Sequence, residues 1–174
     1  YAHNQSYWGA DDAIIANNEF IDSETIDIWF NLNSYSDGVE IRDNTFTGSS
    51  SPTYGVYTQD RTTTDLTIEG NTFDNAKEPI YMRGALDWNI VDNMITGVGD
   101  SSKAGIYVKD GNGVIDGNTL VDADGGILID GVRYGYSANV TNNDISQTAG
   151  RTAPAAIGIW AEDCGSSAVN TGGN

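Results

Sequence analysis

The sequence of 174 residues predicts an all-β protein that folds as a parallel β-helix, a solenoid of about six to seven coils. Three observations predict this class: a repeat built around Asn, a second repeated strand between its copies, and the absence of apolar residues at helical spacing. Short strands that recur about every 25 residues stack when each coil lies one strand spacing, about 4.8 Å, above the last. We expect residues 1–174 to form one such domain.

The first repeat consists of a β-branched residue, two variable positions, Asn, one variable position and a large apolar residue. Its Asn occurs six times, at separations of 22 to 27 residues: Asn18, Asn44, Asn71, Asn93, Asn118 and Asn143. A buried Asn at a tight turn accepts left-handed backbone geometry and hydrogen-bonds the neighbouring backbone. Because stacked copies also bond one another along the axis, we expect a ladder with a structural role.

The second repeat alternates apolar and outward residues and opens in most copies with Gly or Pro, as in GVYTQD (55–60) and PIYMRG (79–84). Alternation with a period of two is typical of a strand. The two repeats together place eighteen apolar residues inward as one continuous core: Ile28, Val56, Ile80, Ile106, Ile127 and Ile159; Ile15, Ile41, Ile68, Ile90, Ile115 and Val140; Phe20, Phe46, Phe73, Ile95, Leu120 and Ile145.

The IxxNxF and GIxV blocks, from about Ile14 to Asp163, resemble the right-handed parallel β-helix repeats of the pectin-lyase-like superfamily. The resemblance implies a right-handed solenoid in which GIxV is the first strand and IxxN is the second strand with its sharp turn. The apolar residue after Asn then begins the third strand. The resemblance specifies the fold but not the activity, because the superfamily includes lyases, hydrolases, epimerases, tailspikes and adhesins.

The outward positions of the first strand form a column in which five of six residues are aromatic: Trp29, Tyr57, Tyr81, Tyr107, Leu128 and Trp160. Extending the register backwards adds Tyr7 as a seventh position. An exposed aromatic stripe of this length is typical of a contact surface, and aromatic rings stack on the apolar faces of sugars. The five aromatic residues are therefore predicted to bind a polysaccharide. The alternative is that stacked rings only stabilise the sheet.

A second outward column lies two residues further along each strand and is polar: Asn31, Gln59, Arg83, Lys109, Asp130 and Glu162. We expect Asn31, Gln59 and Glu162 to hydrogen-bond the sugar beside the aromatic column. Some polysaccharide lyases that resemble this fold place a Lys or Arg base on this face. The resemblance thus implies Arg83, Lys109 and Asp130 as catalytic candidates that bind or deprotonate an acidic sugar.

Two alternatives stay open for this polar column. The pattern requires no cofactor, but Asp60, Asp110 or Asp130 are candidate calcium ligands or acids. Arg83 and Lys109 beside many carboxylates also fit an ordinary charge-paired ladder. The signature set of polygalacturonases is missing, and so are those of pectate lyases, so the sequence leaves open whether the domain is a lyase, a hydrolase or no enzyme.

The charge balance excludes several functions. With 25 acidic and 8 basic residues, and a net charge of −17, the chain repels a phosphate backbone, and nucleic-acid binding is not expected. One Cys and one His exclude zinc sites of the Cys/His type. No apolar run approaches the length of a membrane span. An Asp-rich, Lys-poor surface favours a halophilic setting, whereas the alternative is that Asp serves as a turn residue.

These patterns together predict an extracellular or cell-surface domain that binds a polysaccharide. The rival hypothesis is a structural stalk or adhesin module whose aromatic column contacts another protein or another copy of itself. The sequence begins inside a coil and ends without a complete repeat, and solenoids need capped ends. We therefore expect these residues to be a segment of a larger secreted or surface protein.

Overall fold

The computed structural model describes residues 5–7, 10–22, 25–30, 35–48, 54–59, 63–97, 104–123, 125–132, 136–147, 158–164 and 169–173. Every regular element in these ranges is a strand. The strands are β1 Gln5–Tyr7, β2 Ile14–Ala16, β3 Glu19–Ile21, β4 Ile26–Phe30, β5 Ser36–Asp37, β6 Glu40–Arg42, β7 Thr45–Thr47, β8 Tyr54–Thr58, β9 Thr63–Thr64, β10 Thr67–Glu69, β11 Thr72–Asp74, β12 Glu78–Arg83, β13 Trp88–Val91, β14 Met94–Thr96, β15 Ile106–Lys109, β16 Gly113–Asp116, β17 Thr119–Val121, β18 Ile127–Asp130, β19 Ala138–Thr141, β20 Asp144–Ser146, β21 Ile159–Glu162 and β22 Val169–Gly172. Over these same ranges, no helix has the length and hydropathy to span a membrane.

Successive strands join different sheets, so the chain winds as a solenoid. The first sheet has the order β1-β4-β8-β12-β15-β18-β21, the second β2-β6-β10-β13-β16-β19-β22 and the third β3-β7-β11-β14-β17-β20. A short fourth sheet pairs β5 with β9. All pairings in the three large sheets are parallel, and neighbours in each sheet are one coil apart in the chain. The predicted parallel β-helix is confirmed.

The core lies between the three large sheets and includes the predicted inward residues, together with buried residues that the sequence analysis did not name, such as Leu66, Met82 and Trp88. Sixteen of the eighteen are buried, and Ile145 and Ile159, which lie on the strands at one end of the stack, are half-buried. The rings of Phe20 and Phe46 stack at 4.7 Å and those of Phe46 and Phe73 at 4.5 Å. This column is the direct consequence of a strand register in which each coil repeats the last.

The Asn ladder has the predicted hydrogen bonds. Oδ1 of Asn71 accepts from both the backbone N and Nδ2 of Asn44 at 3.0 Å, and Nδ2 of Asn71 donates to the Ile41 carbonyl at 2.8 Å. The same pattern continues through Asn93, Asn118 and Asn143. The expected left-handed geometry of the ladder Asn was wrong, however: the residue before each of them has the positive φ, as Asp43 (55°) does before Asn44. The ladder side chain thus turns inward from ordinary backbone geometry.

Acidic residues occupy the turns between strands. Twelve non-glycine residues in the described ranges have positive φ, and nine of them are Asp: Asp12, Asp22, Asp43, Asp65, Asp87, Asp92, Asp110, Asp122 and Asp163. Asp and Asn tolerate this conformation because their short polar side chains hydrogen-bond locally. Part of the acidic excess is therefore explained by turn geometry.

Candidate functional site

The first sheet presents the predicted outward column in register. Trp29, Tyr57, Tyr81, Tyr107, Leu128 and Trp160 are successive Cα partners along the sheet. The proposed seventh position was wrong, because Ser6 and not Tyr7 pairs with Trp29, and Tyr7 pairs with Phe30. A register offset of one residue moves a side chain to the other face of a strand, which is why extrapolation from β4 to β1 failed.

The three tyrosines of the column stack on one another. The rings of Tyr57 and Tyr81 lie 5.0 Å apart at an interplanar angle of 16°, and those of Tyr81 and Tyr107 lie 4.7 Å apart at 40°. We call Tyr57, Tyr81 and Tyr107 the tyrosine stack. Because Tyr81 has a neighbouring ring on each side, the stack presents mainly ring edges and hydroxyl groups outward.

The two tryptophans of the column differ in exposure. Trp29 is half-buried, and its Nε1 is buried and meets no hydrogen-bond acceptor among the described residues. Leu128 separates Tyr107 from Trp160 and interrupts the aromatic run. Trp160 is 57% exposed, which makes it the most open aromatic residue of the column. A flat sugar face would therefore find its best stacking partner at Trp160.

The polar column also has the predicted register. Arg83, Lys109, Asp130 and Glu162 are successive Cα partners, and Gln59 follows β8 directly. Nζ of Lys109 lies 2.6 Å from Oδ2 of Asp130, and the Tyr107 hydroxyl donates to the same oxygen at 2.9 Å. The predicted residues Asn31 and Asp60 lie outside the described ranges.

The pKa values of Lys109 and Tyr107 are both raised. The hydrogen bond to Asp130 raises the pKa of Lys109, against a smaller opposing effect of burial. Burial, followed by the hydrogen bond to Asp130, raises the pKa of the Tyr107 phenol. At neutral pH Lys109 is therefore a cation and Tyr107 a neutral phenol. This arrangement favours charge pairing over proton abstraction by Lys109.

Arg83 differs from Lys109 in its surroundings. Its side chain is exposed, and in the part of the chain that the structure describes it makes no salt bridge. Its backbone N–H is held by Thr58 Oγ1 at 3.0 Å. Burial dominates the raised pKa of Tyr57, and the positive charge of Arg83 opposes that effect. Arg83 thus places a positive charge beside the tyrosine stack.

Tyr54 and Glu78 belong to the same face, and the sequence analysis missed both. The Tyr54 ring packs edge-on against Tyr57 at 4.8 Å and Tyr81 at 5.5 Å. Glu78, its Cα partner on β12, is only 4% exposed and accepts a hydrogen bond from the Tyr54 phenol. Burial first, and then Glu78, raise the pKa of Tyr54 to about 12.

Strict alternation of inward and outward residues along the strand did not predict this pair. Counting back from the inward Val56 would turn Tyr54 inward too, but the first sheet bends where Gly55 and Pro79 lie, and these two residues are skipped in the pairing of β8 with β12. A methyl group on Gly55 would meet Phe73 Cε1 at 2.6 Å, so both Gly55 and Val56 face the core. The Gly or Pro that opens most copies was the available signal for a break in alternation.

The described residues provide no metal centre. No group of three or more His, Cys, Asp or Glu side chains within the described ranges is placed to hold a metal ion. Asp110 and Asp130, predicted as calcium ligands, therefore form no such group there. Asp110 instead occupies a turn with φ of 54°, where its backbone N donates to the Asp130 carbonyl at 2.9 Å.

The sequence matches a known protein family over most of its length. A family model described as "Periplasmic copper-binding protein (NosD)" matches residues 16–164. No curated protein and no solved structure matches the chain. The periplasmic location in the family description agrees with the predicted location outside the cell or at its surface.

The family description names copper. Copper is bound in proteins by His, Cys and Met. Cys164 is half-buried, with Sγ 3.1 Å from the Glu162 carbonyl, and Met82 is buried in the core. Met94 is exposed on the third sheet, and His3 lies outside the described ranges. The residues that the structure describes do not fit a copper site.

Proposed function

We propose that this chain, which belongs to the family of periplasmic copper-binding proteins (NosD), binds an acidic polysaccharide on the outward face of its first sheet. The observation that carries the proposal is the position of Arg83. An exposed guanidinium beside the tyrosine stack, without a salt bridge to any described residue, attracts and orients a carboxylate. In a chain with a net charge of −17, such a cation is a local exception.

The other residues of the face supply the neutral contacts of a sugar. The tyrosine stack offers edges and hydroxyl groups, and Trp160 offers an exposed ring for stacking. Gln59 lies beside the stack, and Glu162 lies on the strand of Trp160, where each offers a hydrogen-bonding group. Polar groups beside aromatic surface suit a ligand with apolar ring faces and many hydroxyls.

Lys109 and Asp130 have a supporting role in this proposal. Lys109 is neutralised by Asp130 at 2.6 Å, so it would have to lose a stabilised proton before acting as a base. We therefore assign to Arg83 the contact with the ligand carboxylate. Lys109 and Asp130 hold Tyr107 and limit the negative charge that the ligand meets.

A binding experiment with a matched variant tests the proposal. Retention of the purified chain is measured on polygalacturonate, alginate and a neutral xylan, together with the appearance of unsaturated sugar ends. Arg83→Ala should weaken uronate binding about tenfold to a hundredfold, which is the usual contribution of a charge-assisted hydrogen bond. Arg42→Ala is the control, because Arg42 lies on the second sheet and pairs with Glu40 and Asp43. Equal uronate binding by the two variants would contradict the proposal.

A structural module is the second candidate, and the ring geometry favours it specifically. The rings of Tyr57 and Tyr81 stack at an interplanar angle of 16°, so their faces contact each other and not a ligand. In that case Tyr81→Leu lowers the melting temperature, and the unaltered chain self-associates with concentration in sedimentation experiments but retains no polysaccharide. Release of unsaturated ends would instead add lyase activity to the binding function.

A further inference from the structure

We infer that Glu78 and Asp130 accept the phenol hydrogens of Tyr54 and Tyr107, so that these two hydroxyls act only as acceptors toward a ligand. The outward face of the first sheet then selects a ligand with free hydroxyl donors on both sides of an anionic group. This inference rests on the proposed function of the same face and names what its ligand must offer. It assigns a role in specificity to Tyr54 and Glu78, at the opposite end of β12 from Arg83.

The phenol hydrogens of Tyr54 and Tyr107 are both donated within the protein. A phenol has one hydrogen to donate and lone pairs that accept. The Tyr107 hydroxyl donates to Asp130 Oδ2 at 2.9 Å, and the Tyr54 hydroxyl donates to Glu78. Both donors are therefore used within the protein, so each phenol oxygen can offer a ligand only its lone pairs, as an acceptor.

Burial and packing hold both hydrogen bonds in place. Glu78 is 4% exposed and the Asp130 side chain 15%, so water competes little for either carboxylate. Lys109 fixes Asp130 at 2.6 Å, and the Tyr54 ring is fixed by Tyr57 and Tyr81 at angles of 62° and 78°. Because Asp130 is paired with the Lys109 cation, its hydrogen bond from Tyr107 is stronger than one between neutral groups, and a ligand does not readily reverse it.

The ligand must offer groups that complement these acceptors and Arg83. The phenol oxygens of Tyr54 and Tyr107 need hydroxyl donors, whereas Arg83 carries donors only and needs an acceptor. A uronate polymer with free hydroxyls satisfies all three groups. A uronate polymer whose hydroxyls are acetylated keeps the carboxylate for Arg83 but leaves the phenol oxygens without donors.

Two polymers and one conservative variant test the inference. The dissociation constants of polygalacturonate and of O-acetylated polygalacturonate are measured for the unaltered chain and for Tyr54→Phe. We expect the unaltered chain to prefer the free polymer, and Tyr54→Phe to weaken its binding about twofold to tenfold, as loss of one neutral hydrogen bond does. Tyr54→Phe should leave binding of the acetylated polymer unchanged. Tyr35→Phe is the control, because Tyr35 is 60% exposed and lies outside the first sheet.

Glu78→Gln tests whether the carboxylate acts through Tyr54. The alkaline absorbance titration of the tyrosines should lose a phenol titrating at about 12, and the preference for the free polymer should shrink. A lower melting temperature with an unchanged titration and preference would make Glu78 structural only and overturn the inference. Equal binding by Tyr54→Phe and the unaltered chain overturns it as well, while the proposed function survives. Absence of all polysaccharide binding by the unaltered chain overturns both.

Discussion

Lys109 and Asp130 form an ion pair of 2.6 Å between adjacent coils, at matching positions of β15 and β18. The Tyr107 hydroxyl joins the same carboxylate oxygen at 2.9 Å. The three side chains thus form one cluster whose protonation is coupled to the pairing of two strands. Such coupling makes stability depend on pH in the range where the two proton donors titrate.

We predict that the free energy of unfolding falls at alkaline pH. The folded-state pKa values of Lys109 and Tyr107 lie above their ordinary 10.5 and 10.0, so their stabilisation is complete below about pH 10 and is lost as pH rises through the raised values. Asp130→Asn should make this decline shallower in urea unfolding from neutral pH to about pH 11. Asp144→Asn, an exposed acid on the third sheet, is the control. An identical slope in both variants would contradict the coupling.

The Asn ladder predicts a large loss of stability without loss of binding. Asn71→Leu removes the acceptor of the Asn44 backbone N and the donor to the Ile41 carbonyl, both in buried surroundings. Leaving buried polar groups unpaired costs about 1–3 kcal/mol for each group, so we expect a total loss of about 2–5 kcal/mol. Urea unfolding measures the loss, and polysaccharide retention should stay the same because the ladder lies away from the first sheet.

Asn18→Leu is the matched control for the ladder. Asn18 stands at one end of it and is exposed, so water replaces the bonds from its Nδ2 to the Ala16 carbonyl and to Asn44 Oδ1 that the substitution removes. Its effect should be well below that of Asn71→Leu. Equal effects of the two substitutions would show that burial of the ladder does not determine its contribution.

The fold could be predicted because its cause is repeated in the sequence. Each coil repeats the same inward Ile, ladder Asn and apolar residue after the Asn. Parallel stacking is the arrangement that brings such copies together. The strand register that pairs Ile41 with Ile68 and Ile68 with Ile90 follows directly from this repeat. Where the repeat weakens, as at Tyr7 in the incomplete first coil, extrapolation by one residue failed.

The site could be predicted only in part, because it depends on features that alternation does not contain. The columns of Tyr81 and Arg83 followed from a period of two. The bend at Gly55, which turns Tyr54 outward toward Glu78, did not. The sequence also does not show that ring faces contact each other, because side-chain torsions decide whether a stacked column shows faces or edges.

Substitution of Gly55 tests the bend. A Cβ at this position would lie 2.6 Å from Phe73 Cε1 and 2.7 Å from the Pro79 carbonyl oxygen. Gly55→Ala should therefore destabilise the fold by about 1–3 kcal/mol, as overpacking of a core does. It should also displace Tyr54, which the alkaline tyrosine titration reports. Gly172→Ala is the control, because a Cβ there meets none of the described residues within 4 Å, and similar losses for both would contradict the close packing.

The acidic surface predicts stability that increases with salt. At a net charge of −17, carboxylates repel one another in the folded state, and salt screens that repulsion. The melting temperature should rise by several degrees between about 0.1 and 1 M NaCl. A triple variant of exposed acids on strands, Glu19→Gln, Glu69→Gln and Asp144→Asn, changes the net charge from −17 to −14 and should flatten this rise. A melting temperature independent of salt would leave turn geometry, as at Asp43 and Asp92, as the reason for the Asp content.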